Sequence, residues 1–189
     1  MNPEHPDRTR RRLLAAVAAL PLASRAAALP LTPECGAPAA PTPPQTEGPY
    51  YTPGTPRRVS FLEPGGRGER LVLAGRVVSP RCRPVARALL DFWHCDENGQ
   101  YDNAGFRYRG HQYADADGRF RLETLFPAIY PGRARHIHVK VQAPGRALLT
   151  TQLYFPGDRR DSLWRSELVV AMEQRLEGKM AAFQFIVDA

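Results

Sequence analysis

Two histidines separated by a single residue are the feature of this sequence that could most readily do chemistry. The run RHIHVKVQ (135–142) alternates, because Ile137, Val139 and Val141 are apolar while His136 and His138 fall between them. Side chains alternate across a strand, so this pattern predicts a strand that buries its aliphatic face and turns both imidazoles to the other. Histidines at i and i+2 are neighbours that can bind one metal ion.

The residues around this pair narrow the choice of further ligands. A facial triad for ferrous iron needs a carboxylate, and neither the pair 136–138 nor its immediate surroundings supplies one. A cupin would place a glutamate a few residues after His-x-His, where this chain has Lys140, Val141 and Gln142. Both of these metal-site types are therefore disfavoured.

The phenol of Tyr130 stands closer to the pair in sequence than any thiol or further imidazole does. Zinc would most naturally recruit Cys or a third His. The nearest ones follow no recognised spacing with the pair, and they are His94, Cys95 and His111. Tyr130, by contrast, precedes His136 across a Pro-Gly turn, and Tyr101 follows the run WHCDENGQ. The chemistry to explain is therefore a site of imidazoles and phenols.

Five short motifs follow one another between residues 46 and 155. They are T-E-G-P-Y-Y (46–51), W-H-x-x-x-x-G-x-Y (93–101), R-G-x-x-x-x-D-x-x-G (109–118), Y-P-G-R-A-R-H-I-H (130–138) and T-T-Q-L-Y-F (150–155). In this order they resemble the intradiol ring-cleavage dioxygenases, the ferric enzymes that cleave catechols, and most of all the protocatechuate type. One such motif would be weak support, whereas five in order are a strong resemblance.

The resemblance implies a non-haem Fe(III) site and its ligands. Tyr101, Tyr130, His136 and His138 would hold the iron, with hydroxide or water as the fifth ligand. Phenolate is a hard anionic oxygen that suits Fe(III), and a metal lowers the tyrosine pKa from ~10 by favouring the charged form. A catechol-type substrate would displace hydroxide and one tyrosinate, that of Tyr130. Reaction with O2 would then cleave the ring between the hydroxylated carbons and give a muconate-type diacid.

Further roles are implied in the same way. Arg133 would stabilise negative charge that develops on the substrate. Gln152 would hydrogen-bond the substrate or an intermediate. Tyr50 and Tyr51 match the segment that closes over the active site in this family. The candidate catalytic residues are thus Arg133, Gln152 and Tyr130, whereas structural roles are expected for His94 and His111.

Short strands at regular spacing predict an all-β domain around these residues. Apolar or alternating runs bounded by turn residues occur at 71–78, 86–95, 106–114, 118–125, 135–142, 149–155 and 183–187. They predict a small antiparallel β-sandwich of about seven or eight strands. Asp117-Gly118 signals a hairpin between two of these runs. The segment 163–176, with Asp161 or Ser162 as its cap, is predicted as one late helix.

The first residues are predicted to be a removable export signal. Residues 9–14 read TRRRLL, a twin-arginine pattern, and the apolar run at 13–22 and three alanines at 26–28 follow it. This run is too short for a permanent membrane span. The expected domains are a signal at 1–28, a Pro-rich linker at 29–45 and the β-sandwich at 46–189. Export of a folded, metal-loaded protein to the periplasm or beyond would follow.

The net charge of +7 does not point to nucleic acid as a partner. Five arginines and two acidic residues lie within 1–28, so part of the excess belongs to the predicted signal. The remaining arginines are scattered among acids, with neither a basic stripe nor a nucleic-acid motif.

The three cysteines allow at most one disulfide, and Cys82 and Cys95 are not expected to form it. Whether the protein is a homo-oligomer stays open.

Two other functions remain compatible with the sequence. A non-catalytic periplasmic β-sandwich could bind copper or zinc through the same histidine pair. An adhesion or carbohydrate-binding sandwich could use the aromatic residues as platforms. Colour distinguishes them, because tyrosinate bound to Fe(III) absorbs visible light, whereas a protein with zinc or without metal is colourless.

Overall fold

Two four-stranded β-sheets form the computed structural model, which describes residue 1, residues 39–158 and residues 160–189. One sheet has the strand order β4-β1-β8-β7 and the other β3-β2-β5-β6. The strands are β1 (Arg70–Val78), β2 (Leu89–Trp93), β3 (Arg109–Tyr113), β4 (Arg119–Leu125), β5 (His136–Gln142), β6 (Leu148–Tyr154), β7 (Ala171–Arg175) and β8 (Gly178–Ile186). The predicted all-β sandwich is confirmed. The predicted signal, Met1 aside, lies outside the described residues.

The core lies between the sheets and is built from alternate residues of the strands. Strand β5 buries Ile137, Val139 and Val141 completely, and β8 contributes Phe183 and Phe185. Each such side chain stabilises the fold by roughly 1.5–3 kcal/mol relative to exposure. The alternation that buries these residues turns the intervening residues of β5 away from the core, so the two histidines lie on the outer face of their sheet.

The pairing of the strands is antiparallel except where the last strand meets the first. Strands β1 and β8 are parallel over eight residue pairs, from Leu71 with Lys179 to Val78 with Ile186. The backbones approach closely here, since a Cβ on Gly75 would overlap the carbonyl oxygen of Phe183. Parallel strands need a long connection, and nothing local in the sequence signals such a pair.

The predicted late helix at 163–176 is wrong. The segment forms a short 3-10 helix (Ser166–Leu168) and then strand β7, which pairs with β8. Leu168 and Val170 are both buried, a period of two, whereas Leu176 lies fully exposed at the hairpin tip. Packing against β6 and β8 has therefore overridden the local helical pattern. In the part of the chain that is described, no helix is long and apolar enough to span a membrane.

The predicted hairpin at Asp117-Gly118 is a turn between sheets. The N–H of Gly118 donates to the carbonyl oxygen of Asp115 (3.0 Å), so the tight turn is present. Strands β3 and β4 on either side of it nevertheless belong to different sheets.

Cys95 is a buried free thiol, in agreement with the expectation that it does not pair with Cys82.

Part of the predicted linker lies against the sandwich. The N–H of Ala39 donates to the carbonyl oxygen of Pro80 (2.9 Å), and that of Thr42 donates to Ile186 (2.9 Å). The hydroxyl of Thr42 accepts a hydrogen bond from the N–H of Ile186 (2.8 Å). Residues 39–45 are thereby held along the sandwich and lead the chain onto its outer face.

Candidate functional site

Residues 43–58, which we call the strap, cross the outer face of the sheet β3-β2-β5-β6 from one edge to the other. At the β6 edge, the N–H of Gln45 donates to the carbonyl oxygen of Thr150 (2.8 Å). At the β3 edge, the N–H of Arg58 donates to the carbonyl oxygen of His111 (2.9 Å). The strap therefore covers the face on which the two histidines of β5 lie.

A buried carboxylate holds the middle of the strap. Tyr51 donates through Oη to Asp91 Oδ2 (3.0 Å), and Thr55 donates through Oγ1 to Asp91 Oδ1 (2.8 Å). The Tyr51 ring also packs on Trp93, with ring centroids 4.8 Å apart. Burial, followed by the charge of Asp91, raises the pKa of Tyr51 to about 12. The phenol is thus protonated at neutral pH and can donate to the carboxylate.

Replacing Tyr51 with phenylalanine is expected to lower the free energy of unfolding by about 1 kcal/mol. The variant keeps the ring contact with Trp93 and removes one of two donors to the buried Asp91. Denaturant unfolding at equal metal content measures the change. Tyr113→Phe is the control, since this tyrosine is 47% exposed and its change should stay within ~0.5 kcal/mol. Equal losses in both variants would show that Asp91 does not hold the strap.

Strand register places four buried side chains in one row beneath the strap. Trp93 is the neighbour of Arg109 on β3 and of His138 on β5, and His138 is the neighbour of Gln152 on β6. The Trp93 ring stacks on the His138 imidazole, with centroids 4.7 Å apart and planes at 6°. In the strap, a Cβ on Gly48 would lie 3.5 Å from Cε1 of His138. The imidazole therefore stacks on Trp93 on one side, and the glycine in the strap lets the backbone lie close to it on the other.

The two histidines and Tyr101 bring three donor atoms together. His136 Nδ1 lies 2.6 Å from the carbonyl oxygen of Ala134, an acceptor only, so this nitrogen carries the proton and Nε2 carries a lone pair. That Nε2 lies 3.1 Å from His138 Nε2 and 3.2 Å from the Oη of Tyr101. The backbone has thus selected the tautomer of His136 that can bind a metal ion.

Tyr130 joins this cluster through the strap. Its Oη lies 2.7 Å from the Oη of Tyr50, and its ring meets the Tyr101 ring edge-on at 5.8 Å between centroids. The Tyr50 ring stacks on Tyr101 at 4.6 Å. Arg109, which is buried, donates to the carbonyl oxygens of Tyr50 and of Asp102. This arginine therefore links the strap to the loop that carries Tyr101.

Burial sets the protonation of the cluster. It lowers the pKa of His136 to about 4 and that of His138 well below its usual value, so both imidazoles are neutral at physiological pH. Burial also raises the pKa of Tyr101 well above its usual range. Without a nearby cation this phenol keeps its proton, and a bound metal ion would favour the phenolate.

The donor set fits a hard trivalent ion such as Fe(III). Two neutral imidazole nitrogens lie 3.1 Å apart, and a phenol oxygen lies beside them. Within the described residues, no group of three or more His, Cys, Asp and Glu side chains could hold a metal ion. A ligand set here has to include the phenols, which suit ferric iron rather than the softer divalent ions.

Arg133 and Gln152 lie in a hydrogen-bonded network next to the cluster. Arg133 donates through Nη2 to Gln152 Oε1 (2.7 Å) and through Nε to Asp161 Oδ2 (2.7 Å). Gln152 Oε1 also accepts from the hydroxyl of Tyr154 (3.1 Å), and its Nε2 donates to the carbonyl oxygen of Thr46 in the strap (2.9 Å). Both ends of the Gln152 amide are thus bonded to the protein, so this residue supports Arg133 and the strap.

The structure brings the predicted site residues together and adds others. Tyr101, Tyr130, His136 and His138 form the cluster, with the predicted catalytic residues Arg133 and Gln152 beside it; their roles stay predictions. His94 is buried, and its two ring nitrogens lie within hydrogen-bond distance of the carbonyl oxygen of Cys95 and the hydroxyl of Thr124, so it is not a member of the cluster. Prediction from sequence missed three contributors, namely Trp93, Arg109 and Asp161. Trp93 and Arg109 lie in two of the five motifs, at 93–101 and 109–118, whereas Asp161 was expected only as a helix cap.

The fold and the site define a class of small β-sandwich proteins with a strap-covered cluster of histidines and tyrosines on one sheet. A family model described as "Dioxygenase" matches residues 46–186. The chain is 32% identical to a chlorocatechol 1,2-dioxygenase of Pseudomonas sp. (strain P51), over 60% of this chain and 55% of that one. It is 29% identical to a hydroxyquinol 1,2-dioxygenase of Nocardioides simplex, over 69% and 55%. This chain belongs to the intradiol ring-cleavage dioxygenase family.

Solved structures agree with this membership. The dioxygenase domain of a dioxygenase–carbohydrate-binding fusion from Streptomyces sp. SirexAA-E is 47% identical, with a TM-score of 0.78 over 79% of this chain and 99% of that one. Hydroxyquinol 1,2-dioxygenase from Pseudomonas putida DLL-E4 is 27% identical, with a TM-score of 0.72 over 79% and 67%. The chain spans about half the length of the curated relatives that it matches.

Proposed function

We propose that the protein is a non-haem Fe(III) dioxygenase that cleaves a catechol-type diol between its two hydroxylated carbons and yields a muconate-type diacid. The convergence of His136, His138, Tyr101 and Tyr130 under the strap carries this proposal. Membership of the intradiol family supports it, as do the activities for which its relatives are named. A non-catalytic copper or zinc protein would have no evident use for the adjoining network of Arg133.

The four members of the cluster would hold the iron, and the surroundings of the two histidines orient them for this. The carbonyl oxygen of Ala134 fixes the tautomer of His136, and Trp93 fixes the plane of His138. When bound, ferric iron would bind the catechol oxygens and activate the ring toward O2. The absence of any carboxylate from the cluster leaves the phenols to balance the charge of the ion.

The chain's own residues would handle protons and charge. Tyr130, as a phenolate, would accept the proton of a substrate hydroxyl at its Oη, and Tyr50, whose Oη lies 2.7 Å away, would hydrogen-bond the resulting phenol. Arg133 would stabilise negative charge on the substrate as the ring opens. Gln152 would hold the guanidinium in place and tie it to the strap. The strap would also restrict access of water to the reacting atoms.

Export belongs to this proposal as well. The twin-arginine pattern at 9–14 suits a protein that acquires its metal while folded in the cytoplasm and then crosses the membrane. A periplasmic or extracellular location stays a prediction, and the oligomeric state stays open. The relatives act on chlorocatechol, hydroxyquinol and catechol according to their names, so a panel of these diols together with protocatechuate would identify the substrate.

Freshly isolated protein is expected to contain about one iron per chain, mostly ferric, and to be red to burgundy. The reason is that two phenols and two imidazoles converge with no carboxylate or thiol among them. Elemental analysis, the visible spectrum and product identification across the diol panel are the measurements. His138→Ala, which removes one imidazole, should lose iron and colour together and serves as the control. Stoichiometric zinc or copper, with no ring cleavage after reconstitution with iron, would contradict the proposal.

A further inference from the structure

We propose that Asp161 is a positioning residue that aims the Arg133 guanidinium at the metal cluster; this rests on the function proposed above for Arg133. The Asp161 carboxylate binds one edge of the guanidinium, since Arg133 Nε donates to Asp161 Oδ2 at 2.7 Å. The far end, Nη2, donates to Gln152, the strand neighbour of His138. Arg133 is thus fixed at two points, one of which borders the cluster.

The Asp161 carboxylate is itself fixed by the backbone. Its Oδ2 accepts a second hydrogen bond from the N–H of Ala134 (2.8 Å), and its Oδ1 accepts one from the N–H of Leu163 (2.8 Å). Its side chain is only 9% exposed. Ala134 directly follows Arg133, so the same carboxylate orients both the backbone and the side chain of this turn. A carboxylate held by two backbone donors can impose a direction on the guanidinium.

The charge of Asp161 is maintained in this position. Burial alone would raise the pKa of Asp161, but the hydrogen bonds from Arg133, Ala134 and Leu163 outweigh it and hold that pKa below its ordinary value. The group is therefore an anion at neutral pH. An anion that accepts from guanidinium N–H makes the stronger, charge-assisted kind of hydrogen bond.

The Arg133 side chain has space to adopt another orientation if Asp161 does not hold it. A cavity of about 340 Å³ opens beside the pair and is lined by both residues and by Gly132, Arg135 and Asp158. Asp158, which pairs with Arg135 at 3.3 Å, offers a second carboxylate in the same cavity. The room and the competing anion mean that packing alone does not fix the guanidinium, and Asp161 selects the orientation toward Gln152.

A double-mutant cycle on the iron-loaded protein tests this inference. Asp161→Asn should lower kcat by about 10- to 100-fold, as expected for a misplaced catalytic group, with little change in KM. In the Arg133→Leu background the same substitution should lower kcat less than ~3-fold further, because its effect passes through the missing guanidinium. Asp158→Asn, with the same charge change in the same cavity, is the matched control and should leave kcat unchanged.

Crystal structures of the wild type and of Asp161→Asn supply a readout that does not depend on activity. In the variant, Arg133 should leave Gln152 and turn into the cavity toward Asp158. If it stays on Gln152, or if Asp161→Asn lowers kcat equally in both backgrounds, the inference is overturned. If Arg133 turns as expected while the wild type cleaves no diol, the proposed function fails and the positioning role stands.

Discussion

Arg133→Leu is expected to lower kcat on the preferred diol by about 100-fold or more while the bound iron and the visible colour remain. The guanidinium contacts Gln152 and Asp161 rather than any member of the histidine–tyrosine cluster, so its removal should leave the iron ligands in place. What is lost is a charged donor beside the reacting ring. The measurements are kcat per iron, the iron content and the visible spectrum of the same samples.

The neighbouring arginine provides a control of the same size and charge. Arg135 lines the same cavity but packs over the Phe126 ring and pairs with Asp158, away from Gln152. Arg135→Leu should therefore leave kcat per iron within about 3-fold of the wild type. If turnover in Arg133→Leu falls only as far as its bound iron falls, Arg133 is structural and its assigned role is wrong.

Tyr130→Phe and Tyr101→Phe should behave differently, although both lose a phenol from the cluster. Tyr130 precedes the Pro131-Gly132 turn, where a Cβ on Gly132 would meet nothing within 4 Å, and its hydroxyl already contacts Tyr50 outside the imidazoles. Tyr101 is stacked beneath Tyr50, and its hydroxyl lies 3.2 Å from His136. Tyr130 thus precedes an open turn and has Tyr50 as a hydrogen-bonding partner, whereas Tyr101 is held between the Tyr50 ring and His136.

Anaerobic titration with the diol is the measurement. The wild type should lose part of its tyrosinate absorption when the diol is added without oxygen, and Tyr130→Phe should lack that part from the start. Tyr101→Phe should show a disturbed spectrum both before and after addition. Turnover should fall at least ~100-fold in each variant, because both phenols are assigned to the reacting centre. Full loss of the tyrosinate signal in Tyr130→Phe on addition of diol would show that Tyr130 is not the group that moves.

Local periodicity carried much of the fold prediction. Strand β5 was predicted at 135–142 and found at His136–Gln142, because its aliphatic residues face a core that runs the whole length of the strand. The outward direction of its histidines followed from the same alternation. The prediction failed at 163–176, where Leu168 and Leu176 fit a helical pattern as sequence but end up buried and fully exposed respectively.

The cluster could be predicted from the motifs, but the long-range hydrogen bonds beside it could not. Tyr130 and the histidines are close in sequence, and the family resemblance added Tyr101. The contact of Asp161 with Arg133 joins residues 28 apart, with strands β5 and β6 between them and no periodicity to signal it. The same holds for Gln152 and Thr46, which are 106 residues apart. Such pairings depend on which strands become neighbours, and that is decided by the assembled sandwich.

The strap has a second consequence, for the behaviour of the sheet toward other chains. An open sheet ends in strands whose free N–H and C=O groups can recruit a strand from another molecule. Strands β3 and β6 are the two edges of this sheet, and the strap hydrogen-bonds to His111 on the first and to Thr150 on the second. The segment that shelters the cluster thereby also occupies backbone groups on both edges of this sheet, at His111 and at Thr150, and leaves fewer of them free for strand addition.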